Sequence, residues 1–362
     1  ALALPGVLPS AARAQSAPDQ GSVSLKFLAY RDSQSTDTVY PQYTGNEPSR
    51  LRRISVNAPS FAIVAPLNSQ WVAEGSLIVE HVSGATPRYY TDVSGATTSP
   101  GMTDTRTGGD VKLTRYFDRA SIGVGLAGST ENDFRSAAVS LDGRLSTEDH
   151  ITSVNDDTLD EKRQTTELIA GVTRALTRSD IVQLNLSYAG GRGYYSDPYK
   201  LFDRRPDTRR QAAGLLRWNH HFVGWGSTLR SGYRYYRDSF GIRAHTADAA
   251  WVQPVTPIFS IIPSLRYYSQ GAARFYYDPV ADVSIYPGPV GAPVYSSPDQ
   301  RLSAFGAITL GLKAELQLGR WSTDLKLEQY EQRSSWRTGG QGSPGIDPLH
   351  STMLQVGVST TF

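Results

Sequence analysis

Residues 182–188 read Val-Gln-Leu-Asn-Leu-Ser-Tyr, and residues 321–328 read Trp-Ser-Thr-Asp-Leu-Lys-Leu-Glu. In both stretches apolar and polar side chains alternate. A period of two is the pattern of a β-strand whose two faces meet different environments. The same alternation recurs from Ser22 to Phe362, mostly in runs longer than the five or six residues usual for soluble strands. The sequence therefore predicts an all-β protein.

Composition narrows what such strands can build. The 362 residues are 39% hydrophobic and only 19% charged, with 20 Tyr and 33 Gly. No run reaches the roughly 18 apolar residues that a membrane helix needs, so helical spans are excluded. The chain has no cysteine, which excludes disulfides, thiolate metal sites and a cysteine nucleophile. The net charge of +2 says little about partners, and nucleic acid is not expected among them.

The first residues predict export from the cytoplasm. An apolar stretch precedes Ala12-Arg13-Ala14, which has the small-x-small form of a secretory cleavage site. We interpret residues 1–14 as the remnant of a signal peptide and residues 15–362 as one barrel domain.

The connections between strands distinguish a membrane barrel from a soluble sandwich, because alternation alone fits both. Connections after even-numbered strands are tight, as at Thr147-Glu148 and Leu318-Gly319, whereas long loops such as 83–106, 191–207 and 271–298 follow odd-numbered strands. This asymmetry is typical of outer-membrane barrels with both termini in the periplasm. The predicted strands are 22–31, 50–64, 70–82, 107–117, 120–131, 134–146, 149–155, 162–176, 181–190, 208–222, 227–238, 242–254, 258–270, 299–317, 320–333 and 351–362.

The last strand supports the same fold class, a transmembrane antiparallel β-barrel of about sixteen strands. Leu354, Val356, Val358 and Thr360 form an outward stripe that ends on Phe362. A terminal aromatic residue on such a stripe is the mark by which the barrel assembly machinery takes up its substrates, so we interpret Phe362 as an assembly signal. Outer-membrane lipid and lipopolysaccharide are then expected partners.

Several segments resemble an uncharacterised family of proteobacterial outer-membrane proteins, a domain of unknown function numbered 3570. The resemblance rests on segments such as 76–90 (SLIVEHVSGATPRYY), 193–207 (GYYSDPYKLFDRRPD) and 232–246 (GYRYYRDSFGIRAHT), and it covers nearly the whole mature chain. It implies a barrel in the outer membrane. Because genes of such families often lie near those for a periplasmic flavin transferase, a thioredoxin-like protein and a small lipoprotein, it also implies an envelope redox context.

The polar face of the strands should line the lumen. Arg217, Arg230, Arg234 and Arg266 come from neighbouring strands and could form a basic wall that sets a transverse field. In the alternative, these charges pair with Asp248 and a lumenal loop. The other predicted lumenal residues are Glu74, Glu80, Lys112, Gln183, Asn185, Asn219, Lys313, Glu315, Asp324, Lys326 and Glu328.

Aromatic residues mark both ends of the strands. Tyrosines, including Tyr194, Tyr233, Tyr235, Tyr236, Tyr267 and Tyr268, fall at the end with long loops, and Trp71, Trp218, Trp225 and Trp321 fall at the other. Since amphipathic rings prefer the membrane interface, we interpret the two sets as aromatic girdles, with stacking on sugar or flavin as the alternative for the tyrosines.

Two charged segments could bind ligands. Arg204, Arg205, Arg209 and Arg210 could grip lipopolysaccharide phosphates or fold inward as a constriction, and a solvated, self-paired loop is the alternative. The acidic connection at 156–161 lacks the spacing of a calcium loop, so no metal site and no cofactor is assigned.

Asn219-His220-His221 could serve a lipase-type enzyme, but no serine is placed opposite and we assign no catalytic residue. We predict a porin-like channel for small polar or anionic solutes. The alternative is a barrel that docks a periplasmic lipoprotein or a flavin-linked redox partner.

Overall fold

The computed structural model describes residues 17–35, 50–84, 102–117, 121–141, 144–151, 159–198, 200, 202–278 and 293–362. Within these ranges sixteen antiparallel strands form one closed barrel, in which each strand pairs with its neighbours in the chain and the first pairs with the last. The predicted fold class is confirmed. The proposed signal remnant, 1–14, lies outside the described residues.

The strands are β1 (Ser22–Ser35), β2 (Arg50–Pro66), β3 (Trp71–Gly84), β4 (Met102–Tyr116), β5 (Ser121–Thr130), β6 (Phe134–Leu141), β7 (Arg144–Ile151), β8 (Glu161–Ala175), β9 (Asp180–Gly193), β10 (Thr208–Phe222), β11 (Ser227–Asp238), β12 (Arg243–Thr256), β13 (Phe259–Gln270), β14 (Phe305–Leu318), β15 (Trp321–Arg333) and β16 (Leu349–Thr361). Two single-turn 3-10 helices cover Gln300–Leu302 and Ser334–Trp336. Among the described residues, no helix is long and apolar enough to cross a membrane.

The turn predicted at Thr147-Glu148 is wrong. β6 ends at Leu141 and β7 begins at Arg144, so both residues of the predicted turn lie inside β7. The missed signal was Asp142-Gly143, a dipeptide that strongly favours two-residue hairpins. The strand predicted at 149–155 therefore begins five residues earlier, and the even number of strands is preserved.

The start of β14 also differs from the prediction, which placed it at residue 299. The Asp299 carboxylate accepts a hydrogen bond of 2.9 Å from the backbone N–H of Arg301 and caps the short helix Gln300–Leu302. This local hydrogen bond competes with strand pairing, as Asp side chains commonly do, and the strand begins only at Phe305.

The two faces of the barrel wall have opposite character. Large apolar side chains on the outward face are strongly exposed, for example Leu186 at 54% and Leu310 at 59%. Such side chains occur on strands all around the barrel, among them Leu25, Leu77, Val124, Val172, Leu216, Leu265 and Leu327. An apolar band of this extent is not stable in water, and it matches the lipid-facing band of outer-membrane barrels. The barrel therefore spans a membrane.

Short turns and long loops lie at opposite rims, which we call the short-turn rim and the long-loop rim. Trp225 is 70% exposed in the turn between β10 and β11, and its ring stacks on Phe222 at 5.8 Å between centroids. Trp251 joins this group from β12, at 5.1 Å from Phe222. Trp218 and Trp321 are also exposed on the outward face near this rim. These residues form the girdle at the short-turn rim.

The predicted tyrosine girdle at the long-loop rim is only partly present. Tyr233 and Tyr235 share the outward face of β11, where both rings lie against His245 of β12. Tyr236 and Tyr268 face the lumen instead, where Tyr236 donates a hydrogen bond of 3.0 Å to Asp238. The reason is the strand period: adjacent residues point to opposite faces, so a pair of consecutive tyrosines cannot both face lipid.

β1 and β16 close the barrel at a seam that depends on Gly21. The backbones of Gly21 and Phe362 exchange two hydrogen bonds of 3.0 Å. The Phe362 ring covers Gly21 so closely that any Cβ at this position would collide with ring carbons. A side chain at position 21 would therefore have to displace the terminal aromatic ring, which lies over the seam. The role of Phe362 in assembly stays a prediction.

Replacing Gly21 with valine should displace the Phe362 ring and weaken the seam, since overpacking costs about 1–3 kcal/mol. We expect the heat-dependent shift in gel mobility to occur at a temperature lower by several degrees than in the wild type. Gly190→Val is the matched control, because a Cβ at Gly190 meets nothing within 4 Å. Equal transition temperatures for the two variants would contradict this account of the seam.

Candidate functional site

The strand register places the predicted lumenal residues on a single face, opposite the apolar band. Cross-strand partners in a sheet share a face, so the assignment can be followed from strand to strand. Arg217 pairs with Gly232, Gly232 with Asp248, and Asp248 with Arg266. The register followed in the same way places Lys326 and Glu328 of β15 on this lumenal face. It also places Glu74 and Lys112 there, on the far side of the barrel.

A basic wall covers the lumenal face of β10 to β13. Arg217 and Arg266 lie at either end of the row that contains Gly232, while Arg230 and Arg234 flank Gly232 along β11. The Asp248 carboxylate bends over Gly232, where a Cβ would lie 3.0 Å from its Oδ1. This row gives four positive charges against one negative charge on four adjacent strands.

The guanidinium groups of this wall meet solvent. All four arginines are classed as exposed, although each faces the interior of the barrel. Among the described residues, no ion pair within 4.0 Å joins Asp248 to any of them. The four arginines are therefore exposed to solvent, and Asp248 does not neutralise them by direct ion pairs. Of the alternative, pairing with a lumenal loop stays a prediction.

The lumenal charges of β14 and β15 are arranged differently. Lys313 pairs with Glu315 at 2.5 Å and lies 3.9 Å from Asp324, and Lys326 pairs with Glu328 at 2.8 Å. Each cation thus has an anion within reach two residues along its own strand or on the neighbouring strand. This wall is polar but close to neutral.

An acidic surface lies across the lumen from the basic wall. β3 and β4 are eight strands away from β11 and β12 in the closed order of sixteen, which is half the circumference. Their lumenal face carries four carboxylates against two cations, one of which, Arg106, pairs with Glu80 at 3.2 Å. The acidic residues are Glu74, Glu80, Asp104 and Asp110, and the basic residues are Arg106 and Lys112.

The opposed charges lie at comparable depths. Counted from the short-turn end of their strands, Arg230 of β11 and Glu74 of β3 are each three residues in, and Arg217 of β10 and Asp110 of β4 are five and six residues in. Oppositely charged walls at one level produce a field across the lumen, which acts most strongly on ions passing between them.

The segment 194–206 packs against the segment 293–304, and together they form what we call the loop cap at the long-loop rim. Its centre is Asp299, which is fully buried and accepts a hydrogen bond of 2.6 Å from Arg205 and one of 2.8 Å from Arg301. Arg205 also pairs with Asp203 at 2.5 Å, and Arg301 pairs with Asp197 at 2.6 Å. Two arginines and three carboxylates thus tie together residues about a hundred positions apart.

Charges in the loop cap hold one another ionised. Burial opposes the ionised form of Asp299, but Arg301, with Lys200 and Arg205, outweighs it and holds the pKa of this carboxyl well below its usual range. For Asp203 burial prevails, and its pKa is raised despite the hydrogen bond from Arg205. The difference follows from the number of cations, since Asp203 has one arginine partner and Asp299 has two.

The four arginines predicted as loop ligands therefore have different surroundings. Arg205 is buried in the loop cap, and Arg209 faces the lumen, where it pairs with Asp238 and lies over the Phe240 ring at 4.5 Å. Arg204 forms backbone hydrogen bonds with Ser296 and is exposed, as is Arg210. Only the exposed pair is available to an external ligand. Asp299, the centre of the loop cap, was missed because nothing in the local sequence indicates its distant partners.

Two sets of acidic residues bear on metal binding. Of the predicted segment 156–161, residues up to 158 lie outside the described residues, and Asp160 contacts His150. Asp104, Glu131 and Asp133 each offer an oxygen within 4.8 Å of the others. Arg106 lies 3.4 Å from Glu131 and competes for it, so the group is already partly neutralised.

The histidines lie apart from the lumenal charges. His220 faces outward near the short-turn rim, donates a hydrogen bond of 2.7 Å from Nδ1 to Asp180 and packs against Phe222 at 4.4 Å. His221 faces the lumen and bonds to Thr228 at 3.0 Å. In the described part of the chain, the hydrogen bond of His220 therefore goes to a carboxylate rather than to a serine nucleophile. The surroundings of the His220 ring are those of an aromatic side chain at the membrane interface.

Comparison with known families identifies the family of this chain. The model of the family described as "Protein of unknown function (DUF3570)" matches residues 1–156 and 147–348. The chain belongs to this family. The resemblance inferred from the sequence is thereby confirmed. No protein with curated annotation matches the chain.

Solved structures show distant likenesses. A FadL homologue of Pseudomonas aeruginosa is 11% identical with a TM-score of 0.44, covering 95% of this chain and 90% of that chain. The toluene transporter TodX of Pseudomonas putida is 10% identical with a TM-score of 0.44 and the same coverage. OccK11 (OpdR) of Pseudomonas aeruginosa is 10% identical with a TM-score of 0.41, covering 94% and 96%.

Replacing Asp299 with asparagine should loosen the loop cap, because it removes the buried carboxylate that joins Arg205 to Arg301 and leaves each arginine with one anion, Asp203 or Asp197. The loss of charge-assisted hydrogen bonds costs on the order of 1–3 kcal/mol. We expect hydrogen–deuterium exchange at residues 194–206 to become at least about tenfold faster. Because the pKa of Asp299 is depressed, its contribution is present above the ordinary carboxyl pKa and is lost only in stronger acid. Protection in the wild type should therefore be alike at about pH 5 and pH 8.

Asp207→Asn serves as the control for this experiment, since Asp207 is exposed in the same connection. It should leave exchange within about twofold of the wild type. Equal exchange in both variants would show that the ion pairs of Asp299 do not hold the two segments together.

Proposed function

We propose that the barrel is a passive, porin-like channel for small polar solutes, with a preference for anions. The observation that carries the proposal is the basic wall of exposed, unpaired arginines on β10 to β13, which faces the acidic surface of β3 and β4. Sixteen strands enclose more space than side chains fill, so water has room between the walls.

The field across the lumen would orient charged solutes and would favour the passage of anions over cations. An anion passing through the lumen is drawn toward Arg217, Arg230 and Arg266, while cations are drawn toward Glu74 and Asp110. Because four arginines face a single aspartate on their own wall, and the acidic wall is partly neutralised by Arg106 and Lys112, anions gain more than cations. Rings of charged side chains select ions in this way without a tight binding site.

The direction of insertion belongs to the same proposal. The first residue of β1 and the last residues of β16 lie at the short-turn rim, where Ser22 pairs with Thr361. Outer-membrane barrels keep short turns in the periplasm and long loops outside. We therefore infer that the loop cap faces the exterior and that both ends of the barrel domain face the periplasm.

Planar-bilayer recording tests the proposal. The wild type should conduct and should give a reversal potential of the sign expected for anion preference under a salt gradient. The variant R217Q/R230Q/R266Q should conduct but lose roughly threefold or more of the anion-to-cation permeability ratio, because the field across the lumen is reduced.

The control R174Q/R178Q/R320Q removes the same charge from exposed residues at the short-turn rim. It should change the permeability ratio by less than the lumenal variant does. A pure, folded wild-type protein that leaves the bilayer insulating would overturn the channel and favour the docking scaffold. Equal selectivity in the lumenal variant and the wild type would overturn the role of the basic wall.

A further inference from the structure

A second group of arginines lies on the outward face of the barrel, near the long-loop rim. β9, β10, β11 and β12 each place one arginine there, and we call the four the arginine patch: Arg192, Arg210, Arg237 and Arg243. All four are exposed. Each lies on the face of the wall opposite the lumenal arginines. It shares the outward face with Leu186, Leu216 and Tyr233, because residues an even number of positions apart on a strand point to the same side.

The register brings these cations close together. Arg237 and Arg243 are direct cross-strand partners on β11 and β12. Arg210 and Ser239 bond to each other, so Arg210 lies diagonally beside Arg237. Arg192 pairs with Thr208 and lies diagonally beside Arg210. Direct partners have Cβ atoms about 5 Å apart and diagonal ones about 7–8 Å, which is a spacing that several guanidinium groups can close around one anion.

Like charges placed directly opposite each other destabilise a sheet. The Arg237–Arg243 pair therefore costs stability, and the fold does not offset that cost locally. The acidic residue next to Arg237 in the sequence, Asp238, turns to the lumen, where it accepts hydrogen bonds of 3.0 Å from Arg209 and 2.9 Å from the backbone of Ile242. In the described residues, none of the ion pairs within 4.0 Å involves the arginine patch.

Two other outward arginines near this rim have partners within the wall, whereas Arg135 of β6 is a single exposed arginine. Arg31 of β1 donates hydrogen bonds to Asn57 at 3.1 Å and to the carbonyl of Val56 at 3.2 Å. Arg333 of β15 pairs with Glu331 on its own strand. The arginine patch differs from these single arginines because it holds four cations on adjacent strands.

The patch lies at the depth of lipid headgroups. Tyr233, Tyr235 and His245 lie next to the arginine patch on the side of the membrane centre, and a hydrogen bond of 2.6 Å joins Tyr233 to His245. Along β10, Arg210 is twelve residues from Phe222 in the opposite girdle. At a rise of about 3.4 Å per residue and a tilt of about 40°, this is roughly 30 Å, just beyond an apolar band of roughly 25 Å.

We infer that the arginine patch is a binding site for the phosphate groups of a lipid anchored in the leaflet at the long-loop rim. Guanidinium groups bind phosphate through paired hydrogen bonds, and phosphomonoesters, with up to two charges each, match a cluster of four cations best. The acyl chains of such a lipid would lie on Leu216 and the apolar wall below. This site is on the outside of the barrel and does not depend on conduction through the lumen.

Native mass spectrometry of the detergent-purified barrel tests this inference. The probes are bisphosphorylated lipid A, the same lipid without phosphates, and inorganic phosphate. The wild type should bind the bisphosphorylated lipid, the phosphate-free lipid should bind at least tenfold more weakly, and an equal concentration of inorganic phosphate should not displace the lipid. R210Q/R237Q/R243Q should lower the affinity for bisphosphorylated lipid by at least tenfold.

Two further measurements keep the test independent of folding. R174Q/R178Q/R320Q removes three exposed arginines from the other rim and should bind within about twofold of the wild type. Without lipid, R210Q/R237Q/R243Q should show its gel-mobility shift at a temperature no lower than the wild type, because a repulsion has been removed. Wild-type affinity in the patch variant, equal binding of phosphate-free lipid, or displacement by inorganic phosphate would overturn a lipid-phosphate site.

Discussion

A membrane interior offers no water to backbone N–H and C=O groups, so a sheet within it must leave no open edge. Closure of β1 on β16 meets this requirement, and the other features of the molecule depend on it. Once the sheet is closed, the period of two sends one set of side chains to hydrocarbon and the other to the lumen. The environment of a residue then depends largely on whether it occupies an odd or an even position along its strand. One strand can therefore carry a lumenal Arg234 and an outward Arg237 only three residues apart.

The wall from β9 to β13 concentrates the unpaired positive charge on both of its faces. Inside, Arg217 and its neighbours face water opposite the acidic surface of β3 and β4; outside, the arginine patch lies above the tyrosines of the long-loop rim. The sheet backbone separates the two sets, so a solute in the lumen and a lipid outside would meet different cations. The loop cap covers the same side of the barrel, and the buried carboxylates of Asp203 and Asp299 are paired there with Arg205.

The sequence alone was sufficient to predict those features of the fold whose signal lies within a few neighbouring residues. Alternation and connection length, both readable within a few residues, predicted the number of strands, most of their positions and the lumenal face of residues such as Arg217 and Lys326. Signals that depend on distant partners were inaccessible: Arg205 and Asp299 are 94 positions apart, and neither segment alone indicates a buried pair. The opposition of Arg237 and Arg243 depends on the hairpin register, and the start of β14 on a side chain that caps a short helix. Tyr236 was misassigned because consecutive tyrosines were considered as a group without applying the strand period.

Site-directed labelling tests the central claim, that hydrocarbon covers the apolar face and water fills the lumen, most directly. Because the chain has no cysteine, single substitutions Leu186→Cys and Asn185→Cys place one thiol on each face of β9. In proteoliposomes, a membrane-impermeant, water-soluble thiol reagent should modify the cysteine at position 185 and spare the one at position 186. Rapid modification at 186 with protection at 185 would mean that the apolar face meets water, and it would contradict a membrane-spanning barrel.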